Sequence, residues 1–141
     1  MEKIVELRCR NIVAALLCVS LIAVCGCGGN PRVHGTITFE NGEPLKSGLL
    51  VYESQKGAFY GDVQSNGTYS MGTTKNGQGI PLGEYSIYFQ TAHAETGRDE
   101  DNRPHYSPLL ADKFYAPDTS GLTCTVKGRT RFDFQVTAPG R

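Results

Sequence analysis

Short runs of alternating apolar and polar residues, each closed by a glycine, asparagine or proline turn signal, fix what this chain can fold into. From Arg32 onward, Val33, Gly35, Ile37 and Phe39 fall on one side, and His34, Thr36, Thr38 and Glu40 on the other. A period of two places successive side chains on opposite faces of an extended strand. Asn41-Gly42 follows, and both residues tolerate the positive φ of a tight turn. Residues 48–54 read as a second strand whose facing is ambiguous, since Leu49 and Val51 compete with Leu50 and Tyr52 for the core. Residues 58–63 read as a third strand, and Asn66-Gly67 turns into a short fourth one at 68–71. Residues 72–80 carry no apolar period and read as loop.

The clearest strand is 84–91, with Tyr85, Ile87 and Phe89 inward and Glu84, Ser86, Tyr88 and Gln90 outward. Alternation stops over residues 92–108, which read as a long, polar, mobile loop. Residues 109–115 suit one helical turn or an irregular edge, and 117–121 punctuate the chain. Two strands close it. Leu122, Cys124 and Val126 face inward on one; Phe132, Phe134 and Val136 face inward on the other, with Gly128 in the turn between them. Seven short strands at regular spacing, 17 glycines and no amphipathic helix predict an all-β antiparallel sandwich.

Ahead of this domain lies a different kind of segment. Lys3, Arg8 and Arg10 precede an apolar run from Ile12 to Val24, closed by Cys25-Gly26-Cys27-Gly28-Gly29. That is the order of a bacterial secretory signal. The apolar run would make a helix of roughly 20 Å, against a hydrocarbon core of about 30 Å, too short for a transmembrane span. Val24-Cys25-Gly26-Cys27 resembles a lipobox, with Cys27 as the acylated residue. Gly26 suits the small position before the cut better than Val24 would before Cys25. Residues 1–26 are thus expected to be a signal peptide, 27–31 a lipidated tether and 32–141 the domain. The expected location is the bacterial cell envelope, at the periplasmic or cell-surface side of a membrane. Two or three acyl chains hold a protein there stably, where one binds marginally.

Cleavage would remove Cys9, Cys18 and Cys25 from the five cysteines, leaving Cys27 and Cys124, so no internal disulfide framework is available. It would also take Lys3, Arg8 and Arg10 from the 14 basic residues and Glu2 and Glu6 from the 14 acidic ones, a balance of −1. That balance gives no electrostatic basis for binding nucleic acid. Lys127, Arg129 and Arg131 cluster around one turn and read as solvated.

The turn and strand signals together resemble a known domain. Val33-x-Gly35-x-Ile37-Thr38-Phe39-x-Asn41-Gly42-x-Pro44-Leu45 is similar to the opening repeat of carboxypeptidase-regulatory-like, transthyretin-like domains. Asn66-Gly67-x-Tyr69 resembles their Asp-Gly-x-Tyr turn. Pro81-Leu82-Gly83-Glu84-Tyr85 resembles their Pro-Pro-Gly-x-Tyr strand entry, with Leu82 in place of the second proline. The ending, from Lys113-Phe114-Tyr115-Ala116-Pro117 to Thr119-Ser120-Gly121-Leu122, looks like that of small envelope lipoproteins. The resemblance implies a seven-stranded Greek-key sandwich with a binding, spacing or structural role and no catalysis.

Candidate chemistry is sparse. His93 and His105 flank an acidic stretch containing Asp99 and Asp101, the first place to expect a protein or polysaccharide partner. The order Asp99-Glu100-Asp101-Asn102-Arg103-Pro104 lacks the donor spacing of a calcium loop, so no metal or other cofactor is expected. Cys124, between Leu122 and Val126, reads as a small buried hydrophobe. A transthyretin-like hydrolase would need paired histidines and a C-terminal Tyr-Arg-Gly-Ser, whereas this chain ends Thr137-Ala138-Pro139-Gly140-Arg141. The more serious rival is a carbohydrate-binding module that stacks sugars on exposed Tyr60, Tyr88 and Tyr52.

Overall fold

A computed structural model describes residues 29–72 and 78–140. Cys27 and the expected signal peptide, residues 1–26, lie outside the described residues. Within them the protein is an all-β sandwich with almost no helix. The strands are β1 (Val33–Phe39), β2 (Gly48–Ser54), β3 (Gly57–Val63), β4 (Thr68–Ser70), β5 (Gly83–Thr91), β6 (His93–Arg98), β7 (Pro104–Pro108), β8 (Leu122–Val126), β9 (Thr130–Arg131) and β10 (Phe134–Val136). A 3-10 turn at Asp112–Tyr115 and a four-residue helix, α1 (Pro117–Ser120), precede β8. Pro117 opens α1, and Gly121 ends it in the left-handed region at φ 68°, so what reads in sequence as punctuation is one capped helical turn.

One sheet runs β3-β2-β5-β8, all antiparallel. The other centres on β1, flanked by β4 on one side and by β9 and β10 on the other. Here the expectation of purely antiparallel pairing fails, because β9 and β10 run parallel to β1. Alternation has the same period in both arrangements, so it carries no information on strand direction. The last strand is also split. Between its halves Phe132 N donates to His34 O at 2.9 Å, and Asp133 Oδ1 accepts from Thr36 N at 2.8 Å. A carboxylate thus replaces a main-chain acceptor where the ladder is interrupted.

The inner faces meet in one apolar cluster. Val33, Ile37, Tyr69, Phe134 and Val136 come from the β1 sheet; Leu50, Tyr52, Phe59, Tyr85, Ile87, Phe89, Cys124 and Val126 come from the other. Leu45, Met71, Ile80, Leu110 and Phe114 close the ends from outside the strands. The ambiguity on β2 resolves in favour of both alternatives. Leu50 and Tyr52 are in the core, and Val51 is also buried, at 1% exposure, on the opposite face. It stands in register with Tyr60 on one side and Tyr88 on the other, whose rings roof it.

A polar chain crosses the core. Tyr69 Oη donates to Phe132 O at 2.6 Å, and Tyr52 Oη lies 2.9 Å from Tyr69 Oη. A phenol carries one proton, and Tyr69 gives its own to the carbonyl, so Tyr52 donates to Tyr69. Tyr52 belongs to β2 and Tyr69 to β4, so this contact joins the two sheets. The Tyr52 ring also packs edge-on against Tyr69 and tilted against Tyr85. Burial pushes both hydroxyls well above the usual tyrosine range, with Tyr69 adding to the shift at Tyr52. Gly35 makes the geometry possible, since a Cβ there would meet Phe132 O at 1.9 Å.

Two outcomes follow from this chain. Gly35→Ala must displace Phe132 and should destabilise the domain by about 1–3 kcal/mol, read as a lower urea midpoint; an unchanged midpoint would show that the close approach is dispensable. The pH dependence has a definite sign. Tyr52 and Tyr69 stay neutral in the folded state above 10.0, where the unfolded chain has lost those protons. Stability contributed by the pair is therefore intact below pH 10 and falls above it, by about 1.4 kcal/mol per pH unit for each group. Denaturation between pH 8 and 11.5 measures it, and Tyr52→Phe should flatten the decline.

Candidate functional site

The segment expected to be a mobile loop is instead an ordered hairpin. Residues β6 and β7 form their own two-stranded sheet, from His93 opposite Pro108 to Arg98 opposite Pro104, with a register shift between Glu95 and Gly97. Alternation is missing because ten of its eleven strand residues are exposed, and Ala94 is half-buried. With neither face on the core, no apolar period is required. The overlooked sequence cue is the turn itself, Asp99-Glu100-Asp101-Asn102, flanked by segments of strand length.

Asp99 closes that turn. Asp99 Oδ1 accepts from Arg103 N at 2.8 Å, Asp99 N donates to Arg103 O at 3.0 Å, and Asn102 N donates to Asp99 O at 3.0 Å. Asn102 takes the positive φ of 63° that asparagine tolerates better than most residues. Glu95 pairs with Arg98 at 2.9 Å, and Asp101 with Arg103 at 3.5 Å. Both ion pairs are largely solvated, so each contributes little to stability. Asp99 and Asp101 therefore belong to the turn, whereas His93 starts β6 and His105 lies opposite Gly97. Four residues of strand, roughly 13 Å at 3.3 Å each, separate the two levels. The hairpin does not bring its two histidines together. Among the described residues no three His, Cys, Asp or Glu side chains group as a metal set.

Its base is fixed by hydrogen bonds that the sequence did not signal. Ala92 O accepts from both Leu109 N and Tyr115 Oη, each at 2.8 Å, and Ser47 Oγ donates to His93 O at 3.2 Å. The His93 ring sits 6.1 Å from that of Tyr115. A groove of about 440 Å³ runs along this base, lined by Leu49, Asp62, Thr91, His93 and Tyr106. Tyr106, absent from the sequence-based candidates, is 61% exposed at its rim.

The groove continues onto the outer face of the four-stranded sheet, because Leu49 and Asp62 pair across β2 and β3. Tyr60, 44% exposed, and the half-buried Tyr88 stand there over Val51. Burial and the nearby Glu53 push the Tyr88 hydroxyl up. Tyr52, the third expected sugar-stacking tyrosine, is fully buried in the core and offers no such surface. At the far end, Lys56 Nζ donates to Leu82 O and borders an open depression with Glu84, Ser86, Thr123 and Thr125.

Cys124 is buried at 6% exposure, and burial pushes its thiol up, which disfavours the thiolate. Tyr52 rather than a histidine is its polar neighbour. His34 lies in β1 opposite Ser70 and Arg131, away from the hairpin histidines in the fold order.

The chain matches no family model and no curated protein. Among solved structures, it is similar to the major pilin subunit of Bacillus cereus at 14% identity and a TM-score of 0.48, over 78% of this chain and 30% of the pilin chain. A 9R-lipoxygenase from Cyanothece matches at 18% identity and a TM-score of 0.32, over 77% of this chain and 16% of the enzyme chain. The chain thus spans under a third of either protein.

Removing the Asp99 carboxylate should open the hairpin tip without unfolding the domain. Asp99→Ala is expected to speed amide exchange at Arg103 and Asn102, a local loss of about 0.5–1.5 kcal/mol, with the global melting temperature nearly unchanged. Asp101→Ala should alter neither. Equal effects of the two substitutions would refute the assignment of Asp99 as the turn's closing residue.

Proposed function

We propose that this protein is a non-catalytic module of the bacterial cell envelope, tethered to the membrane through acylated Cys27, whose β6–β7 hairpin engages a protein or polysaccharide partner. The observation that carries the reading is the hairpin's construction. It is ordered by its own turn and base contacts, yet leaves nearly all its side chains in solvent, with Tyr106 over a groove. A two-stranded ribbon contributes little to stability by itself, so its exposed surface is better accounted for by recognition than by folding. The finer reading, a carboxypeptidase-regulatory-like domain with an N-terminal lipid anchor, is supported by the turn motifs and the lipobox pattern in the sequence.

A second reading has its own observation. Tyr60 and Tyr88 roof Val51 on a sheet face continuous with the groove, and Tyr106 adds a third ring. Aromatic rings with hydroxyl and carboxylate neighbours suit a neutral polysaccharide, which offers apolar sugar faces and hydroxyl donors.

Both readings are open to one set of variants. In cells fed a labelled fatty acid, the full chain should take up label and Cys27→Ser should not; continued labelling would remove Cys27 as the acceptor. Binding to purified envelope polysaccharide and to envelope protein fractions then separates the surfaces. Loss of about tenfold in retention for His93→Ala/Tyr106→Ala, with Tyr60→Ala/Tyr88→Ala unchanged, supports the hairpin. The reverse pattern supports the sheet face, and equal retention by all variants rejects both.

A further inference from the structure

The four-stranded sheet ends on β8, and β8 carries none of the features that protect the other edges. At the opposite side, β3 is covered where Tyr60 and Gly72 exchange backbone hydrogen bonds of 3.4 and 3.1 Å. The hairpin has Pro104 and Pro108 in β7 and an irregular register. The last strand of the other sheet is broken at Phe132-Asp133. Prolines, bulges and breaks of this kind are what keep edges from templating further strands. By contrast, β8 pairs with β5 over five unbroken positions, Gly83 opposite Val126 through Ile87 opposite Leu122. It contains no proline, charge or bulge. No main-chain hydrogen bond joins it to a strand other than β5 among the described residues.

Its sequence is also self-complementary. Leu122-Thr123-Cys124-Thr125-Val126 has the same order of residue types read from either end. Laid antiparallel against a second copy about Cys124, it sets Thr123 opposite Thr125 twice on the exposed face, and Leu122 opposite Val126 twice on the core face. Thr–Thr and aliphatic cross-strand pairs are favourable in sheets. Charge selects the same orientation. Lys127 and Arg129 follow the strand, Asp118 precedes it, and none of the three has an ion-pair partner among the described residues. An antiparallel pair brings each basic end towards the other copy's acidic end, whereas a parallel pair would stack like charges.

We propose that two copies of this chain join through β8, antiparallel and centred on Cys124, making one continuous eight-stranded sheet about a twofold axis. A five-residue edge buries less than a stable soluble dimer requires, so association is weak in dilute solution and strengthens where copies are crowded.

Register-specific cross-linking tests this directly. Thr123 and Thr125 are exposed, and replacing either leaves the core intact. Chains carrying Thr123→Cys and Thr125→Cys are oxidised separately and mixed, as full-length protein in membranes and again on a Cys27→Ser background at high concentration. Both variants also carry Cys124→Ala, since the proposed register sets Cys124 opposite its own copy, and mass spectrometry identifies the linked peptides. The proposed register opposes position 123 with 125, while two copies of one variant place their thiols beyond bridging distance. The mixture should therefore cross-link through 123–125 at least about tenfold more than either variant alone, and Thr123→Lys/Thr125→Lys should abolish dimers seen by sedimentation. Equal yields in all samples, or none from chains whose melting curves are normal, overturn the proposal. Cross-linking on the Cys27→Ser background upholds it even if the lipid anchor is wrong.

Discussion

The hydrogen-bonded line from Tyr52 through Tyr69 to the carbonyl of Phe132 is the contact on which the sandwich depends. Apolar burial holds two sheets together but does not fix how they sit, because it is non-directional. Two phenols meeting at 2.9 Å do fix it. The contact links β2 in one sheet to β4 in the other, and through Phe132 to the break between β9 and β10. Each group is also costly to leave unpaired in such an apolar setting, so the line is formed as a whole. Gly35 is the residue that admits it, and Asp133 covers the main-chain donor that the break would otherwise strand.

That arrangement was only partly legible in the sequence. Alternation identified β1, β2, β3, β4, β5 and β8 to within a residue or two, and it predicted the inward faces of β1, β5 and β8. It was silent on direction, which is why β9 and β10 running parallel to β1 were missed. Apolar residues at consecutive positions of β2 leave Tyr52 readable as either a core or an exposed ring; the structure buries both faces of the strand, one in the core and one beside Tyr60 and Tyr88. The hairpin was missed for the opposite reason, since a strand with no buried face has no period to find.

The candidate site shows the same asymmetry. His93, Asp99, Asp101 and His105 stand out in the sequence for their chemistry, yet Asp99 closes the turn, Asp101 only makes a solvated ion pair with Arg103, and the histidines stand at different levels of the ribbon. The residues that give the site its shape are Tyr106, Tyr115, Ser47 and Leu49. Tyr106, Ser47 and Leu49 belong to no motif, Tyr115 falls in the Lys113–Pro117 ending, and each matters through long-range contacts to the hairpin base or the groove beneath it. The proposed recognition role accordingly draws on how the ribbon is held out from the sandwich.

The placement of β1 bears on how the domain carries force. It is the first strand after the N-terminal segment, and it is gripped on both sides, by β4 and by β9 with β10. A pull between the residues before Arg32 and those after Val136 acts on opposite ends of the parallel β1–β10 pair and loads that ladder in shear, so its hydrogen bonds resist together rather than opening one at a time. Unfolding under tension is governed by that barrier and not by the equilibrium stability. A domain that is only ordinarily stable in a denaturant can therefore hold firmly when stretched between its two ends.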